Sequence, residues 1–131
     1  MDLHPGAKLG RYRILAEAGR GSTGVVYRAI DPALDRQVAV KVLAPRLSAD
    51  RDLLARLREE VRGAARMVHP AVGAVYVAGE AGGVFYLVME YIEGESLKSV
   101  IAREGPMPLE RTRRIVSHVS DALDAIHRAG R

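Results

Sequence analysis

The chain has 131 residues, with 20 Lys or Arg against 16 Asp or Glu and a formal net charge of +4, which suits one small domain with a modest core. The absence of cysteine excludes disulfides and thiolate metal sites and suits a cytoplasmic, reducing compartment, and no apolar stretch is long enough for a leader or a membrane span, so no membrane contact is expected within these residues. The positive charge is scattered arginine without interleaved aromatics, tightest at Arg111, Arg113 and Arg114, which argues against a nucleic-acid partner.

Residues 1–10 are polar, contain Pro and Gly and show no period, so they read as a flexible lead. Arg11 to Ala18 alternates loosely, with Tyr12, Ile14 and Ala16 to one side, and predicts a strand. Gly19-Arg20-Gly21-Ser22-Thr23-Gly24 then turns the chain into a second strand, Val25 to Ile30. Asp31-Pro32-Ala33-Leu34-Asp35 is a turn by composition. Gln37 to Leu43 is a third strand, with Val38, Val40 and Val42 on one face and Ala39 and Lys41 on the other.

A glycine-rich hairpin followed by one lysine on the next strand is a means of gripping phosphates. Glycines bring backbone N–H groups close to phosphate oxygens, and the lysine adds a point charge on a flexible stem. Two other phosphate motifs fit less well. A dinucleotide-binding turn needs a helix after the glycines and a later acid, whereas Val25, Val26, Tyr27 and Ile30 read as a strand and the later residue is Lys41. A Walker loop needs Gly-Lys-Ser/Thr, which does not follow. A hairpin without a ligand accounts for Gly19 and Gly24, but leaves Lys41 as a solvated edge-strand lysine.

Ala49 to Met67 predicts a helix capped by Ser48, with Leu53, Leu57, Val61, Ala64 and Ala65 at helical spacing. Glu59 and Glu60 on it also fit as exposed charges paired with nearby arginines. His69-Pro70 starts a turn. Val72 to Ala78 and Val84 to Met89 predict two more strands around a turn at Gly79 to Gly83. Glu90-Tyr91-Ile92-Glu93-Gly94 loses the alternation and reads as a linker. Ser96 to Arg103 is a short helix broken at Gly105-Pro106. Leu109 to Ala129 is a longer amphipathic helix with a stripe of Ile115, Val116, Val119, Leu123 and Ile126 and Gly130 as its cap.

Gly24-Val25-Val26-Tyr27-Arg28-Ala29, Val38-Ala39-Val40-Lys41-Val42-Leu43, His69-Pro70 and Tyr86-Leu87-Val88-Met89-Glu90-Tyr91 occur in this order, with Gly94 and Leu97 behind them. Together they resemble the start of the bacterial eukaryotic-like Ser/Thr protein kinase domain, over nearly the whole chain. The resemblance implies an α+β fold. A kinase N-lobe at 11–89, a five-stranded antiparallel sheet with one regulatory helix, is followed by a hinge at 90–95 and the first two helices of the C-lobe at 96–131. It implies ATP and Mg²⁺ as ligands and protein substrates as partners. By the same resemblance Gly19, Arg20, Gly21, Ser22, Thr23 and Gly24 cover the phosphates, and Lys41 anchors the α- and β-phosphates. Glu60, nine residues before His69, orients that lysine, with Glu59 as the alternative. Val26 and Ala39 roof the adenine, Met89 backs it, and the Glu90 carbonyl and Ile92 amide bond its edge. Gly73 departs from the family, which often places an apolar residue there.

Phosphoryl transfer also needs a base-positioning aspartate and Mg²⁺ ligands, carried in this family by His-Arg-Asp and Asp-Phe-Gly loops. Neither string occurs, and Asp121 and Asp124 read as exposed helix charges. The expectation is therefore the front part of a longer kinase, inactive alone, with the Mg²⁺ ligands beyond Arg131. The alternative is a non-catalytic nucleotide-binding module that docks on a partner through its last helix, whose apolar stripe has little to bury against.

Overall fold

The computed structural model describes residues 2–129. Six strands form one antiparallel sheet: β1 (Lys8–Leu9), β2 (Tyr12–Gly21), β3 (Gly24–Asp31), β4 (Arg36–Leu43), β5 (Val75–Ala81) and β6 (Val84–Glu90), in the spatial order β1-β2-β3-β4-β6-β5. The helices are α1 (Pro45–Ser48), α2 (Arg51–Ala64), α3 (Leu97–Glu104) and α4 (Leu109–Ala129). This is the α+β arrangement of the sequence reading with one strand more.

The added strand lies in the segment expected as a lead. Leu9 pairs opposite Tyr12 and is buried against the core, which gives these residues an apolar anchor that a polar composition hides. One face of the sheet carries Tyr12, Ile14, Val25, Tyr27, Val38, Val40, Val42, Tyr86 and Val88, which curl around one cluster. Fully burying a side chain of this size contributes about 1.5–3 kcal/mol. Asp31, itself buried, accepts from Arg11 at 2.9 Å and from the Ala33 amide at 3.0 Å, which fixes the β3–β4 turn.

On the other face α1 and α2 cover a second cluster of Leu43, Leu54 and Phe85, with Leu47, Leu57 and Leu87 beside it. Two details differ from the sequence reading. Asp50, not Ser48, caps α2, accepting from the Leu53 amide at 3.1 Å. Ser48 instead ties two strands, bonding the Leu43 carbonyl at 3.4 Å and accepting from the Phe85 amide at 3.3 Å. The β5–β6 turn also tightens to Gly82-Gly83, with φ of 58° and 79°, so β5 runs on to Ala81 rather than ending at Ala78, and its start lies at Val75 rather than Val72.

α3 is capped by Ser96, accepting from the Ser99 amide at 3.1 Å, and stops at Gly105, φ 75°. α4 keeps the predicted limits, while its expected cap, Gly130, lies outside the described residues. Only Ala122 of this helix is buried, and Val116, Val119, Leu123 and Ile126 remain exposed.

Candidate nucleotide site

The strand register determines which side chains share a face. Val26 lies opposite Lys41, and Lys41 opposite Leu87; Arg28 lies opposite Ala39, and Ala39 opposite Met89. Directly opposed residues project to the same side. Val26, Ala39, Lys41 and Met89 therefore share the face that the curled core does not use. Ala39 and Lys41 stand about 7 Å apart along β4. The wall so formed is apolar at Ala39 and Met89 and cationic at Lys41.

The glycine run makes the β2–β3 hairpin, whose ladder continues to Gly21 opposite Gly24 around Ser22-Thr23. Its tip is tied to the start of α1. The Ala44 amide donates to the Thr23 carbonyl at 2.9 Å, and Arg46 to the Ser22 carbonyl at 2.9 Å. The three glycines are not equivalent. A Cβ on Gly24 would lie 2.0 Å from the Val42 carbonyl oxygen, whereas a Cβ on Gly19 or Gly21 would meet nothing within 4 Å. Packing within the chain thus requires the glycine at 24 and not those at 19 and 21.

Arg20 is placed differently from its neighbours. It pairs opposite Val25, so its side chain leaves by the Tyr27–Val42 face, away from Lys41. There it donates to Glu17 at 2.6 Å and to Asp2 at 2.9 Å. Glu17, then Asp2, holds the guanidinium pKa further above its usual range, and the hydrogen bond from Arg20 lowers that of Asp2. Only the Arg20 backbone is left to face a ligand on the Lys41 side.

The sequence paired Lys41 with Glu60. Lys41 is half-buried, Glu60 is exposed, and they form no ion pair with each other. Glu59, the alternative, is bonded to Arg62 on its own helix. Glu60 instead lines a cavity of about 710 Å³ with Met67, Val72, Gly73, Val75 and Ile126, bounded by α2, the α2–β5 connection and the end of α4.

Contacts the sequence reading did not foresee hold α2 where it is. Glu80 on β5 accepts from Arg51 at 3.3 Å and Arg58 at 3.1 Å, and the Arg58 guanidinium lies 5.4 Å from the Phe85 ring centroid. No local pattern announces Glu80, because its partners lie more than 20 residues away. Replacing Glu80 with alanine is expected to lower stability in urea unfolding by about 0.5–1 kcal/mol, since the pairs are largely exposed, and the difference should shrink in about 1 M salt.

The linker is fastened at its start. The Glu90 amide donates to the Ala74 carbonyl at 2.8 Å, and the Glu90 carboxylate accepts from the Ala74 amide at 2.9 Å. Two residues on, the Ile92 N–H donates no hydrogen bond among the described residues. The Ile92 δ-methyl stands 3.2 Å from where a Gly73 Cβ would be, so it partly fills the space the glycine leaves. In the turn that His69-Pro70 starts, the His69 Nδ1 accepts from the Ala71 amide at 3.0 Å. Among the described residues no three His, Cys, Asp or Glu side chains cluster to hold a metal, and no helix is long and apolar enough to cross a membrane.

A family model described as protein kinase domain matches residues 12–130. The chain belongs to the protein kinase domain family. It is 42% identical over 120 residues to the Serine/threonine-protein kinase PknL of Mycobacterium tuberculosis, covering 92% of this chain and 30% of PknL. It is 36% identical over 118 residues to the Serine/threonine-protein kinase PrkC of Bacillus subtilis, covering 90% of this chain and 18% of PrkC. The crystal structure of the M. tuberculosis PknI kinase domain superposes with a TM-score of 0.90 at 30% identity, covering 98% of this chain and 52% of that one. This chain therefore spans under a third of PknL and about half of the PknI kinase-domain chain. The kinase-domain sheet extends to six strands here, where the sequence predicted five.

Proposed function

We propose that these residues are the ATP-binding part of a Ser/Thr protein kinase, and that the whole protein transfers the γ-phosphoryl group of ATP to Ser or Thr hydroxyls of cytoplasmic proteins. The observation that carries this reading is the shared face of Val26, Ala39, Lys41 and Met89 beneath a hairpin whose Gly19 and Gly21 are not needed for packing. Glycines without an internal reason leave room for something outside the chain to approach the backbone.

In this reading Val26 and Ala39 cover one face of the adenine, Met89 limits its depth, and the Glu90 carbonyl and the free Ile92 amide bond its edge. Lys41 neutralises the α- and β-phosphates. The backbone amides of Gly19 to Gly24, those of Ser22 and Thr23 at the turn included, cover the phosphates and exclude water. Glu60 orients Lys41 once α2 swings inward, and the open pair corresponds to a resting arrangement. Mg²⁺ would neutralise charge on the phosphates, but the described residues supply no ligand set that fits it.

Transfer forms a bond from the acceptor oxygen to the γ-phosphorus, breaks the bond to the β-phosphate oxygen, and releases the hydroxyl proton. These residues bind and orient the donor; none of them is assigned the base. The test is the whole protein carrying this chain, incubated with γ-labelled ATP and a generic protein acceptor. Label on serine or threonine, lost in Lys41→Met, is the expected result. Equal labelling by wild type and Lys41→Met would remove Lys41 from the mechanism. The 131 residues alone, which lack His-Arg-Asp and Asp-Phe-Gly, are expected to bind without transferring.

A further inference from the structure

The glycine hairpin is fastened on the side away from Lys41 as well as at α1. Glu17 and Arg20 lie on β2 opposite Tyr27 and Val25, so both side chains leave by the core-side face. The Arg20 guanidinium is shared between Glu17 at 2.6 Å and Asp2 at 2.9 Å, the latter 18 residues away in sequence. Asp2 is delivered by a segment that is itself anchored. The Leu3 amide donates to the Tyr27 hydroxyl at 3.1 Å, Leu3 packs on the core cluster, and the Gly6 amide donates to the Ile14 carbonyl and the Ile14 amide to the Ala7 carbonyl, each at 2.8 Å.

The tip has little else to hold it. The β3–β4 ladder ends at Gly24 opposite Leu43, level with Gly21, so the turn residues Ser22 and Thr23 project beyond β4. An isolated exposed ion pair contributes little because two long side chains must be ordered for it. Here one carboxylate sits on the same strand and the other on a docked segment, so less freedom is lost when the three charges meet.

We propose that Asp2, Arg20 and Glu17 form an ionic latch that sets the position of the glycine hairpin from its outer face. They are positioning residues, not contacts to the ligand. The consequence for nucleotide rests on the reading of that hairpin as the phosphate cover: a looser hairpin releases nucleotide faster.

The 131-residue chain is compared with Arg20→Gln, with the double variant Asp2→Asn/Glu17→Gln, and with all three changes together. Hydrogen exchange of the amides of residues 19–24 is read without nucleotide, and release of a fluorescent ATP analogue by stopped flow. Both variants should speed hairpin exchange by roughly two- to fivefold, and the triple variant no more than either. Release of the analogue should accelerate by a similar factor in both. Long-range charge alone would do the opposite in one case, since losing Arg20 weakens phosphate binding while losing the carboxylates strengthens it.

Unchanged hairpin exchange in either variant, or opposite shifts in release, overturns the latch. Faster exchange in both variants with no binding of the analogue even by wild type supports the latch and sinks the nucleotide reading.

Discussion

Replacing Gly24 with alanine is expected to cost about 2–4 kcal/mol of stability and to open the end of the β3–β4 ladder. The new Cβ would lie 2.0 Å from the Val42 carbonyl oxygen, 3.0 Å from its carbon and 3.1 Å from the Leu43 Cα. All three are backbone atoms, so no rotamer change relieves the clash. The strands must part where Gly24 faces Leu43, and the bond from the Ala44 amide to the Thr23 carbonyl goes with them. Gly19→Ala and Gly21→Ala are the controls, since neither new Cβ meets an atom within 4 Å. They should change stability by no more than about 1 kcal/mol while weakening nucleotide binding. Urea unfolding of the three variants separates the glycine the fold needs from the glycines the ligand needs. Similar losses at all three positions would remove that distinction.

Lys41→Met is expected to weaken ATP binding about 10- to 100-fold with little loss of stability. The lysine makes no ion pair with Glu60 and is only half-buried, so the folded chain does not depend on its charge. A charge-assisted bond to phosphate contributes about 1.5–3 kcal/mol, which sets the expected loss. Methionine keeps the apolar stem that packs on the sheet. Calorimetric titration of ATP into both proteins checks the affinity, and thermal unfolding checks that the fold survives.

Much of this was readable in the sequence because the signals are local. Alternation in Gln37 to Leu43 gives both the strand and the shared side of Ala39 and Lys41. Two turns, at Asp31–Asp35 and before Val84, announce themselves by Pro, Asp and Gly. What escaped the sequence depends on distant partners. Leu9 becomes a strand residue only because Tyr12 and the core are there to pair with it. Ser48 has the chemistry of a helix cap, yet the Phe85 amide claims it and Asp50 takes the cap instead. Arg20 sits inside a phosphate motif, and register alone, fixed by the bulges in β2, turns its side chain to the other face. Helical period places Glu60 on α2 but says nothing about how far the helix stands from Lys41; Glu80 with its two arginines contributes to that distance.

The chain has three lysines, Lys8, Lys41 and Lys98, which permits a direct test of the central claim. An acyl phosphate of ATP bound at the site transfers its acyl group to the nearest lysine amine and releases ATP, and mass spectrometry identifies the lysine modified. The account predicts acylation of Lys41, suppressed by excess ATP, with Lys8 and Lys98 modified only slowly and without competition. Acylation spread over all three lysines and indifferent to ATP would contradict it, because the wall formed by Val26, Ala39, Lys41 and Met89 would then not be where the nucleotide binds.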